Sequence, residues 1–338
     1  MAISANTPVL TTNLWLQAKD LRPGDYVYGL DGLPKKIYSV QDISPAQTYK
    51  VTLDDGIVIR GDKNLMLPLE DMKYRINLCE FNNRKNRTVN TKRRAQLRRK
   101  TIVELLEAGL VTKRNDRKFS IPTAEPIQHP IKPLPVPPFV AGLWFGKMRR
   151  QNTLWLERKQ LKDFEREMRL NRFSIHKSKI DGTTIRLEVR PHISLSFLAD
   201  PRHVSIPTKV PEEYLFAAPE QRIEFLRGFF SYRNNCYDAV SDRFDFKTKD
   251  IHFLKRMQAL VESIGIKTRT KFNKNSKVHF LYFRTDLKLH PNQKPKPRTI
   301  QYKRRFIVDI EEVEAVPCVY IEAEAPFLIG TEGFIGIC

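Results

Sequence analysis

Two segments in the middle of this 338-residue chain carry one pattern. They are Phe139-Val-Ala-Gly142-Leu-Trp-Phe-Gly146 and Phe225-Leu-Arg-Gly228-Phe-Phe-Ser-Tyr232. Each reads as an apolar helix with glycine at its fourth position. A glycine has no Cβ to hold two backbones apart, so two such helices can pack unusually close. Their starts lie 86 residues apart, which leaves room for one αβ-rich unit behind each. The middle of the chain is therefore expected to fold as two similar halves joined through a helix pair.

The flanks read differently. In the first 75 residues, Tyr26-Val27-Tyr28, Tyr49–Leu53 and Ile57-Val58-Ile59 are short apolar runs punctuated by Asp31-Gly32 and Asp54-Asp55-Gly56. Alternating runs broken by Asp-Gly are hairpin signals. At the other end, Phe306–Ile310, Cys318–Ile321 and Phe327-Leu-Ile329 read as strands again. Proline-dense stretches at 121–138 and 291–297 mark the joints. The economical reading is one β-domain split by an insertion.

Charge narrows the partner. The chain holds 59 Lys+Arg against 38 Asp+Glu, a net charge of +21. A surplus of that size points to a polyanion, most often nucleic acid. The surplus is clustered: Asn82–Lys100 carries nine cations and no acid, namely Arg84, Lys85, Arg87, Lys92, Arg93, Arg94, Arg98, Arg99 and Lys100. Such a run repels itself unless phosphates neutralise it, and the bland alternative is a solvated basic tail. It leads into Thr101–Gly109, read as a short amphipathic helix with Gly109 as its C-cap. Four scattered cysteines (Cys79, Cys236, Cys318, Cys338) form neither a disulfide framework nor a zinc pattern. Seven histidines show no metal-ligand spacing, so no metal or cofactor is expected. No apolar run approaches a membrane span and none follows Met1 as a signal would, so the expected location is intracellular (cytoplasmic, nucleoid or organellar), not secreted.

The two glycine-bearing segments resemble the paired LAGLIDADG helices of homing endonucleases. The approaches to them, Ile121–Pro126, Leu134–Pro138 and Lys209–Ala218, fit that resemblance, as does the later helix Lys255–Gly265. The ends resemble the Hint fold of an intein. Asn6–Thr11 with Asp20–Val27 is similar to its N-terminal splicing block, and Cys318–Glu322 with Pro326–Ile335 to its C-terminal blocks. The style is that of inteins in phage terminases and helicases. The resemblance implies an α+β chain: an all-β Hint domain interrupted by a pseudo-two-fold αββαββα LAGLIDADG domain. Its implied parts are residues 1–78, the N-terminal Hint portion; 79–135, a basic DNA-contacting segment and proline-rich linker; 136–295, the endonuclease-like domain; and 296–338, the C-terminal Hint portion.

Where the resemblance calls for catalytic groups, this chain departs from it. Splicing needs a nucleophile at the first intein residue; that position falls on Ala2, with Ser4 available only in the shortest register. It needs a Thr-x-x-His proton donor; the matching stretch is Gly61-Asp62-Lys63-Asn64. It needs a terminal His-Asn; the chain reads Gly336-Ile337-Cys338. The nuclease needs an acid at the foot of each helix to place Mg²⁺ between the scissile phosphates. Lys147 and Arg233 stand there, and Asp238 and Asp245 do not match the motif. Two cations in place of two acids suggest a metal-free phosphate clamp; plain decay is the alternative. An engineered Cys→Ala at Ala2 would leave the departures at Asn64, Met148, Tyr232 and Asn234 unexplained, so natural degeneration fits better.

The resemblance also implies strands that lie in a DNA major groove. Thr183–Arg190 and Lys277–Arg284 alternate, which would turn Arg186 and Arg190, or Lys277 and Arg284, toward DNA; an ordinary solvated sheet face is the alternative. Trp144 and Phe229 are expected in the helix interface, and Trp15, Tyr26 and Tyr28 in the β-core. The expected function is binding of double-stranded DNA by a monomer, without splicing or cleavage. An RNA-binding role like that of LAGLIDADG maturases, or a structural module with a host-protein partner, are the competing readings.

Overall fold

The computed structural model describes residues 2–72, 75, 97–146, 153–191, 210–233, 235–293, 303–330 and 334–338. In chain order the strands and helices are β1 (Ala2–Ser4), β2 (Pro8–Leu10), β3 (Trp15–Gln17), β4 (Tyr26–Tyr28), β5 (Pro34–Leu53), β6 (Val58–Asp62), β7 (Met66–Leu69), β8 (Arg98–Thr101), α1 (Ile102–Ala108) and β9 (Ser120–Pro122). Then come α2 (Pro138–Gly146), β10 (Thr153–Glu157), α3 (Leu161–Leu170), β11 (Ser174–Asp181), β12 (Thr184–Arg190), α4 (Glu212–Leu215) and α5 (Pro219–Ser231). The chain continues through β13 (Tyr237–Asp238), β14 (Arg243–Thr248), α6 (Ile251–Glu262), β15 (Thr268–Asn273) and β16 (Val278–Phe283). It closes with β17 (Arg304–Ala323), β18 (Phe327–Ile329) and β19 (Ile335–Ile337). These fall into two compact units: one from Met1–Gln128, Gly265–Thr270 and Arg298–Cys338, the other from His129–Ile264 and Lys271–Pro297.

The first unit is mostly β. One sheet runs β4-β5-β6-β1-β17-β9, with β5 also paired to β17; a second runs β19-β18-β2-β3. Both ends of the chain enter the same sheets: Ile3 opposes Val319, and Val9 opposes Ile329. Alternation along the strands turns Ile3, Val27, Val51, Ile59, Val319 and Ile321 into one core. The runs at Phe306–Ile310 and Cys318–Ile321 are parts of one 20-residue strand, β17, which pairs along an equally long β5. Pro317 lacks the N–H a ladder needs, and the register shifts on both sides of Val316 let the strand pass it.

Two expectations change here. Tyr28 is buried as expected, but Tyr26, at the start of the strand, is exposed. The stretch 97–128, expected within a basic and proline-rich connector, packs into the first unit: Arg98–Thr101 pairs with Met66–Leu69, and Ile102 and Leu105 are fully buried. The helix after it is as read. Thr101 accepts from the Glu104 amide in a capping box, and Gly109 ends the helix at φ 67°.

The second unit holds the helix pair. Among the described residues its order is α-β-α-β-β, then α-α-β-β-α-β-β, which departs from αββαββα by one strand in the first half, by the four-residue α4 before α5 and by having no helix after β16. Its two sheets run β10-β12-β11 and β13-β14-β16-β15. Helix α2 is buried from Phe139 to Phe145 because it is apolar all round. Phe244, Phe246 and Phe283 cover the inner face of the second sheet, ring to ring with Phe229 and Phe230 of α5. No helix among the described residues is long and apolar enough to cross a membrane.

Candidate nucleic-acid interface and two candidate sites

The helix pair packs at backbone contact. A Cβ on Gly142 would lie 1.9 Å from the Phe225 carbonyl oxygen, and one on Gly228 would lie 1.9 Å from that of Phe139. The relation is reciprocal, as a pseudo-two-fold axis between the helices requires. A Cβ on Gly146 would come within 2.2 Å of the Phe229 oxygen. Trp144 and Phe229 are buried, as expected of interface residues.

At the foot of the pair, Lys147 lies outside the described residues and Arg233 does not. The Arg233 guanidinium donates from Nη1 to the Gly146 carbonyl at 3.1 Å. It also sits 5.1 Å from the centroids of both Phe229 and Phe246. Burial holds its pKa below the ordinary guanidinium value. Arg233, expected to hold its charge out to a phosphate, turns Nη1 to the last described carbonyl of α2. Among the described residues no group of three or more His, Cys, Asp or Glu side chains is placed to hold an ion.

The other candidate site lies in the first unit. The Ala2 amide donates to Asp62 Oδ1 at 3.2 Å, and Gly61 is opposite Ile3, so close that a Cβ would lie 2.7 Å from the Ala2 oxygen. Asn64 is exposed in the turn after β6. The carboxylate that meets the first residue therefore comes from Asp62, which sequence reading passed over. Tyr320 pairs with Ala2 and also lines a cavity of about 210 Å³ with Arg99, Glu322, Glu324 and Cys338. The Cys338 amide donates to the Met66 oxygen at 2.9 Å. Burial pushes its thiol up to about 11, with Arg99 pulling the other way, so at neutral pH it is a protonated thiol. Cys318 is also buried with a raised pKa.

Of the expected DNA contacts, Arg84, Lys85, Arg87, Lys92, Arg93 and Arg94 lie outside the described residues. Arg98 is exposed and paired with Asp71 at 2.9 Å, and Arg99 is exposed on β8. Arg186 lies on the outer face of the first sheet of the second unit, directly between Trp155 and Lys179. Arg190 is exposed and turned to Glu188 at 3.3 Å. Lys277 and Arg284 are not one face: Lys277 sits in the turn before β16 at φ 50°, and Arg284 follows the strand half-buried. Seven residues apart is an odd spacing, which period two splits between faces. The outer face of that sheet is instead made by Arg243, Asp245 and Lys247 of β14 with Phe280 and Tyr282 of β16. The alternation in Arg243-Phe-Asp-Phe-Lys247 was the signal for it.

No protein-family model matches the chain. The replicative DNA helicase DnaB of Mycobacterium intracellulare is 25% identical over 342 residues, covering 95% of this chain and 55% of that protein. The chain thus spans about half the length of the curated relative it matches. Among solved structures, the MchDnaB-1 intein is 29% identical over 20% of this chain and 53% of its own, at a TM-score of 0.19. The chain resembles an intein that carries an endonuclease insert. The gp41-1 intein is 18% identical over 35% of this chain and 73% of its own, at a TM-score of 0.22. The homing endonuclease I-DmoI, in complex with DNA and Mn, is 13% identical over 43% of this intein-like chain and 87% of its own, at a TM-score of 0.31. Each of these three solved structures covers less than half of the chain.

Proposed function

We propose that this chain is a degenerate intein: a Hint-type β-domain interrupted by a two-fold LAGLIDADG domain that holds double-stranded DNA without cutting it. The carrying observation is the reciprocal Gly142/Gly228 helix pair with a guanidinium at its foot, where a nuclease needs a carboxylate. A cation bonded to the Gly146 carbonyl repels Mg²⁺ from that end and cannot activate water. Ala2 offers no nucleophile and Asn64 no titrating proton, so acyl transfer at the first residue lacks both groups. The host protein would be a replicative helicase, because nearly the whole chain aligns within one and leaves the rest of it unmatched, as an insert would. The Arg and Lys side chains of the outer sheet faces, with the net charge of +21, supply the attraction to phosphate.

The test uses the full chain with a long duplex library, with and without Mg²⁺. Binding should weaken steeply with salt and persist in EDTA, with no new DNA ends. A magnesium-dependent cut would overturn the loss of cleavage, and salt-insensitive or absent binding would overturn the DNA reading.

A further inference from the structure

Reading a duplex groove calls for long polar side chains that reach base edges. Flat rings serve unpaired bases instead, since every base has a π-face to stack. The outer face of the β14/β16 sheet is built from rings. Phe280 and Tyr282 stand two residues apart with ring planes 9° from parallel and centroids 5.8 Å apart. The Arg243 guanidinium lies 4.8 Å over Tyr282 and is held flat by Asp245, with Nε to Oδ1 at 2.7 Å and Nη2 to Oδ2 at 3.0 Å. Guanidinium, phenol and phenyl thus stand in one row, the two rings near-parallel. Beyond Phe280 the row ends beside exposed Lys247, its cross-strand partner. The opposite face of the sheet is the buried one, so these rings are not needed for the core. The other sheet of the unit repeats the chemistry: Trp155, 41% exposed, stands next to Arg186 and then Lys179 in one cross-strand row.

We infer that the outer faces of these two sheets bind nucleic acid by stacking unpaired bases, one on the Phe280–Tyr282 row with its phosphate on Lys247, another on Trp155 with its phosphate on Arg186 or Lys179. The preferred ligand is therefore a strand with nucleotides out of the duplex stack, either single-stranded or a duplex carrying a bulge. This deepens the DNA-binding reading and rests on it. The positive side chains match phosphate, and the rings match bases that pairing no longer occupies.

Equilibrium binding of the full chain to four labelled probes tests this: a perfect duplex, the same duplex with a central three-nucleotide bulge, and its single strand as DNA and as RNA. The bulged duplex and the single strands should bind at least tenfold tighter than the perfect duplex at the same salt. Phe280→Leu with Tyr282→Leu keeps apolar bulk but removes the flat faces. It should weaken the open probes by about 5- to 150-fold, the cost of one lost base–ring stack, and leave the perfect duplex within twofold. Lys247→Ala should weaken all probes alike. Trp155 fluorescence, isolated as the difference from a Trp155→Phe variant, should be quenched by the open probes and not by the perfect duplex. The two single strands report whether the 2′-hydroxyl matters; either winner supports stacking. Equal affinity for perfect and open probes, or ring variants that weaken all of them equally, would overturn the stacking while sparing the DNA reading. No binding to any probe at low salt would overturn both and leave the rings as contacts for a protein.

Discussion

Gly142 and Gly228 decide whether the second unit exists. An alanine in a helix interior is ordinarily worth about 1 kcal/mol over glycine. At Gly142 the sign reverses, because the new Cβ would lie 1.9 Å from the Phe225 oxygen, which is helix backbone and cannot swing aside. Gly142→Ala should therefore destabilise the unit by about 3 kcal/mol or more, read as a lowered urea midpoint. Arg233 makes a second case. Arg233→Met keeps the length but loses a charge-assisted bond to Gly146 and two ring contacts. The expected loss is about 2 kcal/mol, with no gain of cleavage in Mg²⁺. Equal stability of Met and Arg at this position would mean that these contacts contribute nothing. Both glycines and the guanidinium at position 233 were legible in the sequence. The direction of the guanidinium was not, because a carbonyl at a helix end leaves no mark on residue type.

At the scale of elements, the sequence marked short strands and missed their fusion. β5 and β17 run through Pro45 and Pro317, since a bulge tolerates the missing N–H that a regular ladder would not. The basic run likewise read as surface up to Lys100, while its last residues form a strand against Met66–Leu69. What fastens these long strands is partly ionic. Arg305 Nε meets Asp55 Oδ2 at 2.7 Å, with both side chains 1% exposed, and this joins the β5–β6 turn to the start of β17. The Asp-Gly signal placed the turn, but it could not show that its aspartate is buried against a residue 250 positions away. Asp55→Ala would remove the carboxylate that this buried guanidinium meets. It should cost about 3–5 kcal/mol, whereas the double change Asp55→Ala with Arg305→Met should recover much of that loss. Thermal melts of the three variants test it, and additivity of the two single changes would sink the pairing argument.

Over the whole molecule, the order of β, α/β and β regions was legible in the residues, because hydrophobic period and proline density are local. The sequence could not reveal which buried groups titrate, since that depends on walls built from distant segments. His129 and His290 of the second unit show the consequence. Burial depresses His129 to about 3 and His290 to about 4, with the neighbouring Arg222 adding to the effect at His129. His129 packs edge-on to Phe216 and His290 stacks on Tyr237 at 5.2 Å. An unfolded histidine titrates near 6.5. Above that pH both states are neutral and stability does not depend on these groups. As pH falls below about 6.5 the unfolded chain takes up protons that the folded unit refuses, so stability drops, with a limiting slope of about 1.4 kcal/mol per pH unit for each histidine. The drop ends only once pH passes below the depressed folded values. Carboxylates add their own acid loss, so the informative quantity is a difference. A His129→Phe, His290→Phe chain should show a shallower fall in urea midpoint between pH 6.5 and 4.5 than the parent, and match its slope from pH 7 to 8. Parallel curves through the acid window would mean that both imidazoles reach solvent. The second unit would then lack the dry wall that its phenylalanine-lined core builds around them.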